Sequence, residues 1–446
     1  MKIPFLMLSD APSSGTGLGR ICRELAIRIH ENCSDIFDVA TLGYGGVGDR
    51  SLTFPQYNTE QMRDFFIPTL PQVWDNFAGN RKGVVFTIWD ASRMLWFARP
   101  DGGPRKLDWC PDPGIREWLM HAPFERWGYF PMDAAGPGNM LSVMIAEAIA
   151  GYDRVIAYSD WAKKLMENTF SPQICERQTL TAIPHGIDST VFRPAGKTRG
   201  VFRREMSYTG RVIEEYEKVI GIVATNQIRK DYGLGFAAFA EVAKDVPCRL
   251  FIQTDVFERY WSLPNLALDF NLLQKVGINT SIITDETMNL MYNACDLTLG
   301  IGPEGFGYPI FESLAAGTPV IAGSVGGQAE HMPSEMLMKP IATRTDTLYN
   351  CIRPVYDPSK WAYQIKKFLA HKKENNSLLP PRLEWKTLWA KEWEPHLRRL
   401  HRKFLESVPT PDLPSNIVEI GTATADHRKP IAVSPEADPV ETPNPA

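Results

Sequence analysis

The stretch GPEGFGYPIFESLAAGTPVIA, residues 302–322, carries two glutamates, Glu304 and Glu312, one on each side of a Gly-Phe-Gly turn. The apolar run at 297–301 before it reads as a strand. Pro309 suits the first turn of a helix, where its missing N–H would have had no partner. Gly317 ends that helix, and Thr318-Pro319 keeps it from continuing. Residues 320–322 form the next strand. Strand, glycine loop, helix and strand make one unit of a parallel sheet. The loop therefore lies at the C-terminal end of a strand, where open α/β sheets bind ligands. Gly305 and Gly307 let backbone N–H groups approach an anion, and the helix N-terminus adds partial positive charge. Glu312 lies about one turn inside the helix and leans back over the same crevice, because helical side chains tilt toward the N-terminus. Two acceptor-only carboxylates over an anion-binding loop suit a ligand that joins phosphate to hydroxyls, a nucleotide sugar. A local cap or ion pair for Glu312, with a solvated Glu304, fits the spacing as well.

The same alternation runs through most of the chain and predicts an α/β fold. An opening strand at 3–8 leads into the glycine loop SSGTGLGR and a helix over 18–29, followed by strands near 37–42, 84–89 and 154–159. A second set begins after IPHGIDSTVFRPAGKTRG, with a strand at 219–225, the loop NQIRKDYG, a helix around 234–243 and the strand CRLFIQT. The segment TDETMNLMYNACDLTLGI reads as a helix capped by Thr284 or Asp285 that runs into the strand at 297. Two domains are expected, over 1–195 and 205–380, with the boundary where Gly, Arg and Pro cluster at 194–209. From 383 to 406, Trp385, Trp389, Trp393, Leu397, Leu400 and Phe404 mark one apolar stripe of a helix. Residues 409–446, rich in Pro, Ala, Glu and Thr, are expected to be a disordered tail.

Bulk properties exclude several classes. At 446 residues the chain is too long for one core. A net charge of -4 gives no global field toward nucleic acid or an anionic membrane. No run approaches the ~20 apolar residues of a membrane span, and the N-terminus lacks a signal-peptide pattern. Seven scattered cysteines without CxxC spacing argue for a reducing, cytoplasmic location and against structural zinc. The histidines show no HExxH pairing, so no metal site is expected.

The stretch GPEGFGYPIFESLAAGTPVIAGSVGGQAEHM resembles the signature of family 4 of the retaining glycosyltransferases, whose GT-B architecture pairs two facing Rossmann-like domains. The E-x7-E motif of that family matches Glu304 and Glu312. DETMNLMYNACDLTL, IPHGIDSTVFRP and the Trp-rich closing helix are similar to further family segments, and that helix would cross back to the first domain. The resemblance is dense over 183–330 and patchy before. It implies that Glu304 contacts hydroxyls of the transferred sugar, that the amides of Gly305, Phe306 and Gly307 lie against sugar and phosphate, and that Glu312 holds the ribose hydroxyls. Arg229 and Lys230 match the basic pair after the first strand of the second domain, and Lys230 would neutralise the diphosphate leaving group. Asn226 and Tyr308 join the implied donor site. Gly17, Gly19 and Arg20 match the glycine-rich loop near the diphosphate. Two positions depart from the pattern. Thr225 stands where members often carry an arginine, and Asp133 stands where many have a histidine. His121 and Asp133 are both candidates for that histidine's place, with a structural role at least as well founded for each. His185 is expected to shape the interdomain turn.

The resemblance implies a metal-independent hexosyl- or pentosyltransferase that needs no cofactor, with a nucleoside diphosphate sugar, UDP-linked in the family's common form, as co-substrate. The default acceptor is a glycan or glycolipid. A second acceptor, a hydroxymethylated base in DNA, comes from Arg93, Arg99, Arg105, Lys106 and Arg116 with Trp96 and Trp109 between them, which would hold phosphates and stack bases. A long insertion whose tryptophans fill a core explains the same segment and is favoured. A non-catalytic nucleotide-sugar binder has only Thr225 in its support. A dinucleotide site is rejected, since the first loop is GxGxG and the second strand ends Leu42-Gly43 without an acid.

Overall fold

The computed structural model describes residues 1–46, 48–59, 66, 68–98, 112–196, 203, 213–346, 350–371 and 373–407. Two wholly parallel sheets organise it. The first contains β1 (Ile3–Asp10), β2 (Phe37–Tyr44), β3 (Gln56–Thr59), β4 (Gly83–Thr87), β5 (Phe124–Phe130), β6 (Arg154–Ala157) and β7 (Thr181–Ala182), in the order β3-β2-β1-β4-β5-β6-β7. The second contains β8 (Lys218–Val223), β9 (Cys248–Gln253), β10 (Val276–Asn279), β11 (Leu297–Gly300), β12 (Val320–Gly323) and β13 (Leu337–Met338), in the order β10-β9-β8-β11-β12-β13. Both are Rossmann-like. The strand order reverses between β1 and β4 in one sheet and between β8 and β11 in the other, and each reversal opens a crevice at the strands' C-terminal ends. β1 is buried along its whole length, which is why it reads as a continuous apolar run rather than an alternating one. The central strands β8 and β9 follow the same rule.

Each sheet has its own apolar core. Leu6, Leu8, Trp74, Val85, Phe97 and Phe130 belong to the first; Ile220, Ile222, Phe236, Phe239, Ile252 and Trp361 belong to the second. A short antiparallel hairpin, β14 (Ala342–Thr345) and β15 (Ile352–Val355), follows β13. The boundary expected at 194–209 falls largely outside the described residues, as does the tail at 409–446.

The Trp-rich segment is not one uniform α-helix. Trp385–Leu388 is α, Trp389–Trp393 is π, and Glu394–Ser407 is α again. The sequence explains the wide turn. Tryptophans four apart overshoot the α-helical repeat by about 40° per step, and a π turn takes up that surplus so that Trp385, Trp389 and Trp393 are all buried. Trp393 Nε1 donates to the Pro184 carbonyl at 2.9 Å, and its ring meets Tyr129 of β5 edge-on at 4.9 Å. Arg398 donates to Asp35 at 2.8 Å. Among the described residues no helix is long and apolar enough to cross a membrane.

Candidate active site

The second sheet builds the site at its strand reversal. β11 ends at Gly300 and the chain turns through Pro303 and Glu304 to Gly307, whose left-handed backbone (φ 95°) caps the helix Tyr308–Ala315. A side chain at Gly307 would be strained there, which is the reason for glycine. Beside this turn, the loop after β8 carries Arg229 and Lys230 into the helix Tyr232–Val242, capped by Asp231. The two loops touch closely. A Cβ on Gly302 would stand 2.6 Å from the Arg229 carbonyl.

This juxtaposition brings Glu304, Arg229 and Lys230 together. Lys230 Nζ pairs with Glu304 Oε1. Arg229 Nη1 donates to Glu304 Oε2 and to the Pro303 carbonyl, each at 3.1 Å. The other edge of that guanidinium reaches into the first half of the chain, with Nε 2.9 Å from Asp133 Oδ2. Lys230 is only 5% exposed. Burial, with the Arg229 and Arg353 guanidinium groups, pushes its pKa well below that of free lysine, while Asp133 acts the other way. Burial would raise Asp133, but Arg229, Arg353 and Lys230 outweigh it and hold the carboxyl below its ordinary range.

Glu312 is 2% exposed, and both its oxygens are engaged. Oε1 accepts from Arg20 of the helix Gly17–Asn32, and Oε2 accepts from the Tyr292 hydroxyl at 2.8 Å. Arg20 also pairs with Asp285, in the first turn of the helix Asp285–Ala294, and lies over the rings of Phe192 and Tyr308 at 5.4 and 5.3 Å. Burial raises the pKa of Glu312 against the opposing pull of Arg20 and Tyr292. Burial alone would lower that of Arg20; Glu312 and Asp285 reverse the sign.

The structure places the other expected site residues as follows. Arg20 pairs with two carboxylates, Glu312 and Asp285. Asn226 is fully buried and spends its side chain on structure: Nδ2 donates to the Trp261 carbonyl at 2.7 Å and Oδ1 accepts from the Trp261 amide at 3.0 Å. Gly19 is needed for its own loop, since a Cβ there would collide with Ser14 and the Ala11 carbonyl. Gly17 opens the helix with free space around it. Gly305 abuts the other half of the chain, where a Cβ would lie 3.0 Å from the Met132 carbonyl oxygen. Phe306 is buried against His185, with ring centroids 4.1 Å apart, and Tyr308 lies 5.0 Å from the same ring. His121 does not join the cluster. It ends the helix Pro113–His121 just before β5 begins, at the N-terminal end of that strand, opposite the crevice. Its side chain is 73% exposed and meets Glu117 of its own helix at 3.1 Å.

Residues that the motifs did not name complete the site. Arg353 of β15 reaches Asp133 Oδ1 at 3.4 Å. Asp10 is the last residue of β1 and Asp90 lies just past the end of β4, the strand-end positions that the ligand rule for α/β sheets would have flagged. Burial pushes Asp10 up to about 6, with Thr16 opposing and Asp90 adding to the rise. Asp90 is raised as well, by the protein around it first and then by Asp133, against Arg229 and Arg93. Of the Arg/Trp-rich segment, Trp96 is buried in the first core; Arg99, Arg105, Lys106 and Trp109 lie outside the described residues. Among the described residues no group of three His, Cys, Asp or Glu side chains is placed to hold a metal ion.

No protein-family model matches the chain. A D-inositol 3-phosphate glycosyltransferase from Segniliparus rotundus is 23% identical over 231 residues, an alignment that spans 50% of this chain and 46% of that protein. The match thus covers about half the length of the curated relative. The fold likeness extends much further. Sucrose-phosphate synthase from Thermosynechococcus elongatus superposes with a TM-score of 0.64 at 16% identity, over 91% of this chain and all of that one. Anabaena HepE in complex with UDP-glucose gives 0.60 at 14%, over 92% and 100%. A glycosyltransferase from Rickettsia africae gives 0.60 at 16%, over 91% and 100%. The chain therefore has the GT-B fold, two Rossmann-like α/β domains.

Proposed function

We propose that this protein is a retaining glycosyltransferase that moves a hexosyl or pentosyl unit from a nucleoside diphosphate sugar to an acceptor hydroxyl on a glycan or glycolipid. One observation carries the reading: Glu304, Arg229 and Lys230 converge at the strand reversal of the second sheet, in the ligand crevice of a GT-B fold, with Glu312 on the helix that follows the same loop. The curated relative is a glycosyltransferase of an inositol phosphate, and HepE is a UDP-glucose complex, which supports a nucleotide-sugar donor.

In this reading Glu312 takes the ribose hydroxyls and Glu304 the hydroxyls of the sugar, each changing partner as the donor enters. Lys230 and Arg229 turn to the diphosphate, where negative charge grows as the bond from the anomeric carbon to phosphate breaks. The new bond to the acceptor oxygen forms on the same face, and the acceptor proton passes to the departing phosphate oxygen. No protein nucleophile is required, and cationic side chains do the work asked of a metal elsewhere. Catalysis is then positioning plus electrostatics.

The test is a panel of UDP-, ADP- and GDP-sugars read by thermal shift, since a bound ligand raises the melting temperature by mass action. One donor should shift the wild type and be slowly hydrolysed. Lys230→Ala should lower that hydrolysis by about 10²–10³-fold, the scale for losing one charge-stabilising donor. A panel without any shift would refute the proposal. The products formed on glycan, glycolipid and hydroxymethylated-DNA acceptors, read by mass spectrometry, then decide the acceptor.

A further inference from the structure

The hairpin β14–β15 lies outside both parallel sheets, yet one of its side chains reaches the proposed diphosphate grip. Arg353 donates through Nε to Asp346 of its own hairpin at 3.1 Å, and through Nη1 to Asp133 Oδ1 and to the Asp133 carbonyl, both at 3.4 Å. A backbone bond from the Ile352 amide to the Ala135 carbonyl, 2.7 Å, ties the same strand to the segment that carries Asp133. The second oxygen of Asp133 is taken by Arg229 Nε. Charges therefore alternate without a gap from the hairpin to the site: Asp346, Arg353, Asp133, Arg229, Glu304, Lys230.

We propose that Arg353 is a positioning residue for Arg229, acting through Asp133, so that the hairpin sets how firmly the site grips the diphosphate of its donor. The inference rests on the donor-site reading above. A carboxylate bound by one guanidinium can rotate about its last bond; one bound on both oxygens cannot. Arg353 thus fixes Asp133, and Asp133 fixes the Nε edge of Arg229. The Nη edge, now on Glu304 and the Pro303 carbonyl, is left to exchange those acceptors for phosphate while the rest of the guanidinium stays in place. Pre-organisation of this kind strengthens binding by reducing what must be ordered when the ligand arrives. No local pattern in the sequence signals it, since Arg353 is one basic residue in a four-residue strand and its target is 220 positions away.

Calorimetric titration of the full-length protein with UDP and with uridine tests this, with ADP and GDP and their nucleosides as the parallel pairs. Arg353→Met should weaken the diphosphate about tenfold and leave the nucleoside within about twofold, because a nucleoside has no phosphate for Arg229 to hold. Arg353→Lys should fall between, since it keeps the charge and loses the planar fork. In an Asp133→Asn background the further substitution Arg353→Met should have little effect, because the relay is already cut. Equal weakening of diphosphate and nucleoside would mark a purely structural role and overturn the proposal. So would additive effects of the two substitutions, or an unchanged diphosphate affinity. Should Arg353→Met fail to fold, Arg353→Lys and Asp133→Asn carry the same comparison. If no nucleoside diphosphate binds the folded wild type, the donor-site reading itself fails, and this inference with it.

Discussion

Glu312 shows how a single side chain depends on residues far along the chain. Its carboxylate is buried, bonded to Arg20 at a separation of 292 residues and to Tyr292 at a separation of 20. Removing one partner from a buried ion pair leaves an uncompensated charge, a loss of about 3–5 kcal/mol. Arg20→Met should therefore destabilise the protein by about that much near neutral pH. The pH dependence has a defined sign. Burial already raises the pKa of Glu312, and losing Arg20 raises it further. A carboxyl whose folded pKa lies above its unfolded value destabilises the fold at pH above that folded value, so the deficit of Arg20→Met should shrink as pH falls and Glu312 takes up a proton. Urea denaturation of both proteins between pH 7.5 and about 5 checks this, and a pH-independent deficit would contradict it. At this scale the glutamates were legible from the chain, because glycine turns and helix starts are local. Their present partners were not, because Arg20 lies 292 positions from Glu312 and Arg229 lies 75 from Glu304. Asn226 and His121 show the converse: the resemblance did not reveal that the side chain of one is bonded to Trp261 or that the other lies at the N-terminal end of β5, away from the crevice.

At the scale of elements, the two glycine loops differ in what they require. The turn at Gly305 packs against backbone of the other domain, and Gly327 packs so tightly that a Cβ would collide with the Gly305 carbonyl and Ser159. Backbone neighbours cannot move aside as a flexible side chain would. Gly305→Ala should cost about 1–3 kcal/mol of stability, the range for overpacking, and should lower donor turnover with it. Gly17→Ala meets nothing within 4 Å at the first position of its helix. It should be neutral or stabilising by about 0.4–1 kcal/mol, through lower entropy of the unfolded chain. Thermal melts of the pair decide whether the two loops differ as described; equal losses would show that they do not. The Trp-rich helix carries a related lesson. Its apolar stripe was visible in the sequence, while the π turn was hidden in a spacing of four that pattern matching reads as α.

In the whole molecule, His185 sits where the two sheets meet. Its ring packs on Tyr158 and Tyr129 from the first half and on Phe306 and Tyr308 from the second, and its Nδ1 lies 2.8 Å from the Tyr129 hydroxyl. Burial lowers its pKa well below 6.5. The unfolded chain binds a proton there below pH 6.5 and the folded chain does not, so stability is full above that pH and is lost as pH falls, by about 1.4 kcal/mol per unit. His185→Gln should keep a polar contact to Tyr129 and flatten this slope, measured by urea denaturation at pH 7 and 5.5. An unchanged slope would mean that other groups dominate the acid response.

The chain by itself determined the alternation of strand and helix, the two-sheet α/β class, the strand-end loops that carry Glu304, Arg229 and Lys230, and the helix that carries Glu312. Each of these follows from hydrophobic period, glycine and proline placement, and capping, all properties of neighbouring residues. Tertiary structure alone decided which charges meet: Arg20 on Glu312, Arg353 and Arg229 on Asp133, and His185 within a shell of aromatic rings. Ion pairing and burial depend on distance through space, and a folded chain brings together groups that lie hundreds of positions apart.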